Sequence, residues 1–338
     1  MIDKIFIRNM RLVLLFLSIA WLSCNPASQE PKDLKPISLA TLRFENLLFE
    51  NPNYTALVAS DENFTRLFLY GITSLGSTDT ALASQRMLAL VNDSNFRNVY
   101  STIQFLFTDF NPYQSALENA FAYYHYYLPS QPLPKIVTTM SVFSYPIICD
   151  SLHLAIALDM YLGENSQVYN TLQPPLPVYI RKNMRPEYIV SDAMKGWLQS
   201  DFYKPEDAIN LLEKSIQQGK IIFALKKILP DLHDSLITGY TADQVKWCYE
   251  NEAKIWSFFL EQKLLFSNDA QQLMKYTDEG PTTNGFPPQA PGMISQFIGY
   301  RIVAAFMEKN EMPLNVLMDL NDANQILQKS KYKPTNNS

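Results

Sequence analysis

The chain has 338 residues, of which 47% are hydrophobic, 13% aromatic and 18% charged, so it can bury a sizeable core and is not a disordered tail. Its 28 Lys and Arg against 33 Asp and Glu leave a net charge of −5, which offers no basic field to hold a phosphate backbone and argues against nucleic acid as a partner. No glycines are spaced as a nucleotide-binding loop, and three cysteines with three histidines leave little material for a thiolate or imidazole metal site.

Lys4, Arg8 and Arg11 precede an apolar run from Leu12 to Leu22. A helix of that length rises only about 16 Å, half a bilayer core, so the segment reads as a secretory signal and not a permanent span. It ends in Leu22-Ser23-Cys24, a small residue followed by cysteine, which resembles a bacterial lipobox. Residues 1–23 are accordingly expected to be a lipoprotein signal peptide and Cys24 the lipidation site. Because the protein is anionic, acyl chains and not charge would hold it to the membrane. Residues 24–40 are read as the lipidated cysteine and a proline-interrupted tether, and 41–335 as one globular helical domain with a small sheet.

From Leu42 to Leu128 the hydrophobic period is helical, with Phe96, Val99, Tyr100, Ile103 and Phe107 on one face. Asn111-Pro112 offers an N-cap followed by proline at the first helical position. Beyond the turn Pro129–Pro134, two β-type stretches are expected, Lys135–Met140 and Pro146–Leu158, the second alternating through Leu152, Leu154, Ile156 and Leu158. Helices resume after Pro186 and Pro205. The latter carries the stripe Ala208, Leu211, Leu212, Ser215, Ile216, Gly219 and Phe223 and is expected to be central. Thr241 to Gln244 fits a capping box that opens one long helix to about Phe266. Residues 277–291 form a Pro/Gly loop of a length often associated with function. An apolar helix is expected over about 294–307, with short helices after Pro313 and Asp322. The fold class is α+β, predominantly α-helical with a small mid-chain β-sheet.

Chemistry is sparse. His125, His153 and His233 are each followed by no second His or Cys three or four residues on, there is no G-x-S-x-G elbow, and no cysteine adjoins a histidine. No catalytic residue, metal ligand or cofactor is therefore assigned. Cys149 and Cys248 could pair in an oxidising envelope or remain buried thiols. The polar candidates are Asp159 at a strand end, Glu252 beside Glu250 and Asn251 in the long helix, and Arg301, which is expected to pair with a buried acid such as Glu252 or Asp159. Tyr123–Tyr127 reads either as core packing or as an aromatic platform for glycan or peptide.

In order, the segments Ala157–Asn165, Gly219-Lys220 ahead of Leu229-Pro230, Gly239–Trp256, Ile298–Val303 and Ser330-Lys-Tyr-Lys-Pro334 resemble the gliding-motility lipoprotein B (GldB) family of Bacteroidota, over about residues 35–335 plus the lipobox. The resemblance implies an envelope lipoprotein of gliding and type IX secretion-linked processes, with a distant likeness to zinc-dependent proteases. The segment Asn210–Lys220, which carries Glu213 but no histidine, would be the counterpart of the protease helix. It thus implies a degenerate, zincin-like pseudo-peptidase without zinc. The expected function is a non-catalytic, lipid-anchored protein, periplasm-facing and on the outer membrane, acting through contacts with envelope, motility or secretion proteins. The alternatives are an envelope hydrolase with an atypical acidic site around Asp159, Glu213 or Glu252, and a ligand-binding lipoprotein.

Overall fold

A computed structural model describes residues 31–334, so the signal peptide and Cys24 lie outside the described residues. The chain first docks through the N–H groups of Ile37 and Leu39, which donate to the Glu118 carbonyl at 3.2 Å and carboxylate at 3.1 Å. Leu39 is buried, and the folded body starts at Pro36, so it takes in the inner end of the segment read as tether.

Strand β1 (Thr41–Arg43) comes next, at a place where the period reads as helix. Three residues carry too little propensity to resist a ladder offered by a distant strand. Six helices follow: α1 (Phe44–Glu50), α2 (Tyr54–Ser60), α3 (Glu62–Arg66), α4 (Thr80–Asn92), α5 (Ser94–Leu106) and α6 (Asn111–Tyr127), with a π-helical turn over Leu67–Ile72. Helix α5 buries Val99, Tyr100 and Ile103 on the expected face. In α6, Asn111 is already helical and its N–H donates to the Asp109 carboxylate at 2.9 Å, so Asn111 is not the N-cap, although Pro112 does sit in the first turn.

The sheet is completed by β2 (Lys135–Thr139), β3 (Ile147–Cys149) and β4 (His153–Ala157), in the order β1-β2-β4-β3. β1, β2 and β4 are parallel, with Thr41 beside Ile136 and Lys135 beside His153, while β3 runs antiparallel at one edge. The stretch Pro146–Leu158 is thus a hairpin. Its turn is fixed by the Asp150 carboxylate, which accepts the N–H groups of Leu152 and His153, both at 2.7 Å. Every residue of β4 is buried, as befits an interior parallel strand covered on both faces, so its alternation marks no wet side.

The remaining helices are α7 (Gln167–Thr171), α8 (Val178–Arg181), α9 (Ile189–Phe202), α10 (Leu211–Ile228), α11 (Asp234–Thr238), α12 (Ala242–Glu250), α13 (Glu252–Glu261), α14 (Ala270–Thr277), α15 (Ile294–Lys309), α16 (Leu314–Asp319) and α17 (Ala323–Ser330). Helix α10 is central, with Leu211, Leu212, Ser215, Ile216 and Gly219 all buried. It meets α15 at a glycine pair so close that a Cβ on Gly299 would fall 1.7 Å from the Ser215 carbonyl oxygen. The Thr241–Gln244 capping box forms as read, but the helix it opens stops at Glu250. There the Asn251 side chain donates to the Trp247 carbonyl at 2.9 Å, a local bond that competes with the helical ladder and lets the chain turn into α13. The expected single helix to Phe266 is two helices, and Glu250 and Glu252 belong to different ones.

Candidate functional site

The four candidate residues within the described chain occupy three separate places. Asp159 is fully buried in the turn after β4, where its carboxylate accepts the Ser141 N–H at 3.0 Å and the Phe143 N–H at 2.8 Å. It thereby holds Val142 and Phe143 at φ of 56° and 59°, a left-handed stretch that β-branched and aromatic residues adopt only under constraint. Burial outweighs these donors and lifts the carboxyl to about 6. The backbone carbonyl of Asp159 accepts from the Tyr169 hydroxyl at 3.0 Å, which in turn accepts the Leu162 N–H at 2.8 Å. Asp159 is a clamp on the β2–β3 loop.

Glu213 completes a capping box with Asn210 at the start of α10, accepting the N–H groups of Ile209 at 2.7 Å and Asn210 at 3.3 Å. A carboxylate engaged in this way organises its own helix end and faces no site. Glu252 and Arg301 are brought together as read, with Nε to Oε1 at 2.8 Å, and Tyr332 donates its hydroxyl to the same oxygen at 2.7 Å. Tyr332 also sets its ring edge-on to Trp256, so the Ser330–Pro334 motif latches the C-terminus onto α13 and α15. Burial and the Glu252 carboxylate push the Tyr332 hydroxyl upward, keeping it a donor. Tyr332→Phe is expected to cost about 1 kcal/mol and Glu252→Ala, which strips both partners at once, about 2. Urea unfolding of the two variants checks that order, and equal losses would show that Glu252 is not the hub.

The histidines, Cys149 and Cys248 all lie among the described residues. His153 sits between Asp150 (2.9 Å) and Asp61 (3.0 Å), with Lys135 also on Asp61 at 2.7 Å. His233 caps α11, and His125 is exposed beside Tyr124, which is itself buried. The aromatic run is therefore split between core and surface. Cys149 and Cys248 are free, and burial pushes the Cys149 thiol up to about 12 and the Cys248 thiol higher than usual as well. Among the described residues no group of three His, Cys, Asp or Glu converges to hold a metal ion.

A cleft of about 420 Å³ opens elsewhere, and none of the four candidates lines it. One wall is α9, which presents Asp192, Lys195, Gly196 and Gln199. These positions share one helix face. Pro146 and Ile147 bring the edge of the sheet to the rim, and Met160 and Tyr161 extend from the end of β4. Glu279, Gly280, Gly292 and Met293 close the far side, so the long loop contributes both its ends. Those ends are pinned, since a Cβ on Gly292 would fall 2.4 Å from the Gly280 carbonyl oxygen and Thr283 donates to the Pro291 carbonyl at 2.6 Å.

The Tyr161 hydroxyl donates to Asp192 Oδ2 at 3.0 Å. Burial lifts the Asp192 carboxyl to about 6 despite Lys195 and Tyr161, and Glu279 adds to the rise. Burial also lowers Lys182 on the same wall. A carboxyl of this kind in a cleft can exchange a proton near neutral pH or accept a hydrogen bond from a guest. The sequence did carry a signal for it: Asp192, Lys195 and Gln199 form a polar stripe on a helix whose other faces read Ile189, Ala193, Met194, Trp197 and Leu198.

The family model described as gliding motility protein GldB matches residues 25–334. No curated protein and no solved structure matches the chain.

Proposed function

The chain belongs to the family of gliding motility protein GldB, and from that premise we propose that it is a non-catalytic, lipid-anchored envelope protein that supports gliding or another envelope assembly through protein contacts. The anchor is Cys24, placed after an apolar run too short to span a bilayer. No helix among the described residues is long and apolar enough to cross a membrane. The folded body would face the periplasm from the outer membrane.

The observation that carries the non-catalytic reading is that the acids offered as catalytic candidates are all engaged in holding the fold. Asp159 clamps a loop, Glu213 caps a helix, and Glu252 joins Arg301 to Tyr332. The segment read as the protease counterpart uses its only acid, Glu213, on its own N-terminus, which supports a pseudo-peptidase reading in which that segment carries no zinc chemistry. Crosslinking in the living envelope followed by capture of the tagged full chain is expected to recover the same partners repeatedly. Recovery of the protein alone, under conditions that preserve other envelope complexes, would overturn the reading.

One observation favours a second reading, hydrolysis in the cleft: Asp192 lies there with a carboxyl near 6 and a tyrosine on it. Asp192→Asn that lost function with partner capture and melting unchanged would favour it.

A further inference from the structure

The outer edge of β3 is open. The Ala157 N–H donates to the Pro146 carbonyl at 2.9 Å and the Asp150 N–H to the His153 carbonyl at 3.1 Å, which fixes the phase of the β3–β4 ladder. Antiparallel pairing alternates, so Ile148 points its N–H and C=O at β4 while Ile147 and Cys149 point theirs away from the sheet. Among the described residues, no backbone or side-chain group outside the sheet bonds those outward groups. The neighbouring Tyr145 is 52% exposed.

Ile147 also lies on the rim of the cleft. Helix α9 can lie flush against it because Gly196 has no side chain, and a Cβ there would fall 2.6 Å from Ile147 Cγ2. A row of unpaired N–H and C=O groups selects one kind of guest, a second extended backbone that supplies the complementary groups at the same spacing. The adjoining cavity is wider than a single side chain needs and lies within the size range of ligand sites. Its wall is polar and of mixed sign, with Asp192 and Glu279 against Lys182 and Lys195. Asn183 and Gln296 each hold a buried side-chain oxygen with no hydrogen-bond partner among the described residues. Such a wall suits a polar side chain projecting from a strand more than a lipid tail.

We propose that the β3 edge and the cleft beside it form a docking site for an extended polypeptide segment of a partner protein, which adds as a fifth strand and inserts one polar side chain between α9 and the Glu279–Met293 loop. This deepens the protein-contact reading and rests on it. The occupant is a peptide because an extended backbone supplies donors and acceptors at the spacing of the groups that Ile147 and Cys149 present.

The test uses the full chain in lipid nanodiscs and, as probe, a phage-displayed library of random 10-residue peptides. Cys149→Pro removes one outward N–H and leaves the β4 ladder intact, since proline is tolerated on an edge. Gln199→Arg fills the cleft from α9 without touching the sheet. Selected peptides are expected to bind wild type, to lose at least tenfold in affinity for both variants, and to slow hydrogen exchange at the Ile147 and Cys149 amides. Peptides that ignore both variants, or that protect other segments, would overturn the proposal, as would a selection that yields none. Crosslinked partners retained by both variants would sink the β3 site while leaving the protein-contact reading standing, and partners absent even from wild type would sink both.

Discussion

Gly299→Ala is expected to prevent folding or to cost more than about 4 kcal/mol, because its Cβ would make the tightest contact of any glycine's. The added Cβ would lie 1.7 Å from the Ser215 carbonyl oxygen and 2.3 Å from its carbon, and both are backbone atoms of α10. No rotamer change can move them, so α10 and α15 would have to part along a contact that includes Gly219, where a Cβ would itself fall 2.2 Å from the Gly299 carbonyl carbon. The matched comparison is Gly71→Ala. Its Cβ would meet the tip of the Leu67 side chain at 3.0 Å, which can swing aside, so the change should stay within about 1 kcal/mol. Circular dichroism and urea titration of the two variants test the contrast, and similar behaviour would mean that the helices do not cross as closely as the glycine pair demands.

Asp159→Ala is expected to cost about 3 kcal/mol at pH 7, because it leaves the buried N–H groups of Ser141 and Phe143 without an acceptor and frees two residues held at positive φ. Asp159→Asn should cost less, since one oxygen still accepts while the amide N–H₂ meets a donor. The same carboxylate gives the protein a pH signature. Its pKa is raised to about 6 from an ordinary value near 3.8, so the folded state holds the proton more tightly than the unfolded chain. Its contribution is fully present below pH 3.8 and is lost as the pH rises through 6, by about 3 kcal/mol. Asp192 acts in the same direction over the same window, and buried Glu45 shifts the same way. Asp61 acts oppositely: burial would raise it, but Lys135, the Phe64 N–H and His153 hold it at about 2, so its stabilisation is lost as the pH falls from 3.8 towards 2. Melting temperature should therefore peak near pH 4 to 5 and fall by pH 7.5, with a shallower fall in Asp159→Asn. A wild-type curve that rises across pH 4 to 7 would contradict the buried, raised carboxyls.

Much of this fold is written in short-range patterns. The Thr241–Gln244 box, the stripe of α10, the apolar α15 and the two late helices follow from local capping and 3.6-residue periodicity, and each lies close to its expected position. What sequence pattern missed depends on distance. β1 is a strand only because β2 is beside it, and the β3–β4 hairpin hides in a run whose apolar spacing is continuous. The break at Asn251 turns on one side-chain bond to Trp247. That Arg301 pairs with an acid was readable because a lone cation in an apolar helix needs one, while the choice of Glu252 over Asp159 comes from the fold. The cleft was not legible as a site. Its walls come from the sheet edge, from α9 and from a loop some ninety residues further on, and only the Asp192–Lys195–Gln199 stripe announces one of them.

The parallel seam between β1 and β2 sets an order of events. Glu45, just past β1, is held nearby by Arg43 and, across 93 residues, by the Thr138 hydroxyl at 2.7 Å. A chain delivered amino terminus first therefore presents Phe44, Leu48 and Phe49, all buried in the finished protein, with their sheet still missing until β2 arrives. Closure of so long a loop is slow compared with helix formation, and the exposed interval invites association with other chains. Efficient maturation should accordingly depend on a holding factor that covers the first hundred residues until the seam can close, and a β1 variant such as Leu42→Pro should accumulate as a substrate of envelope proteases even where its final fold is reachable.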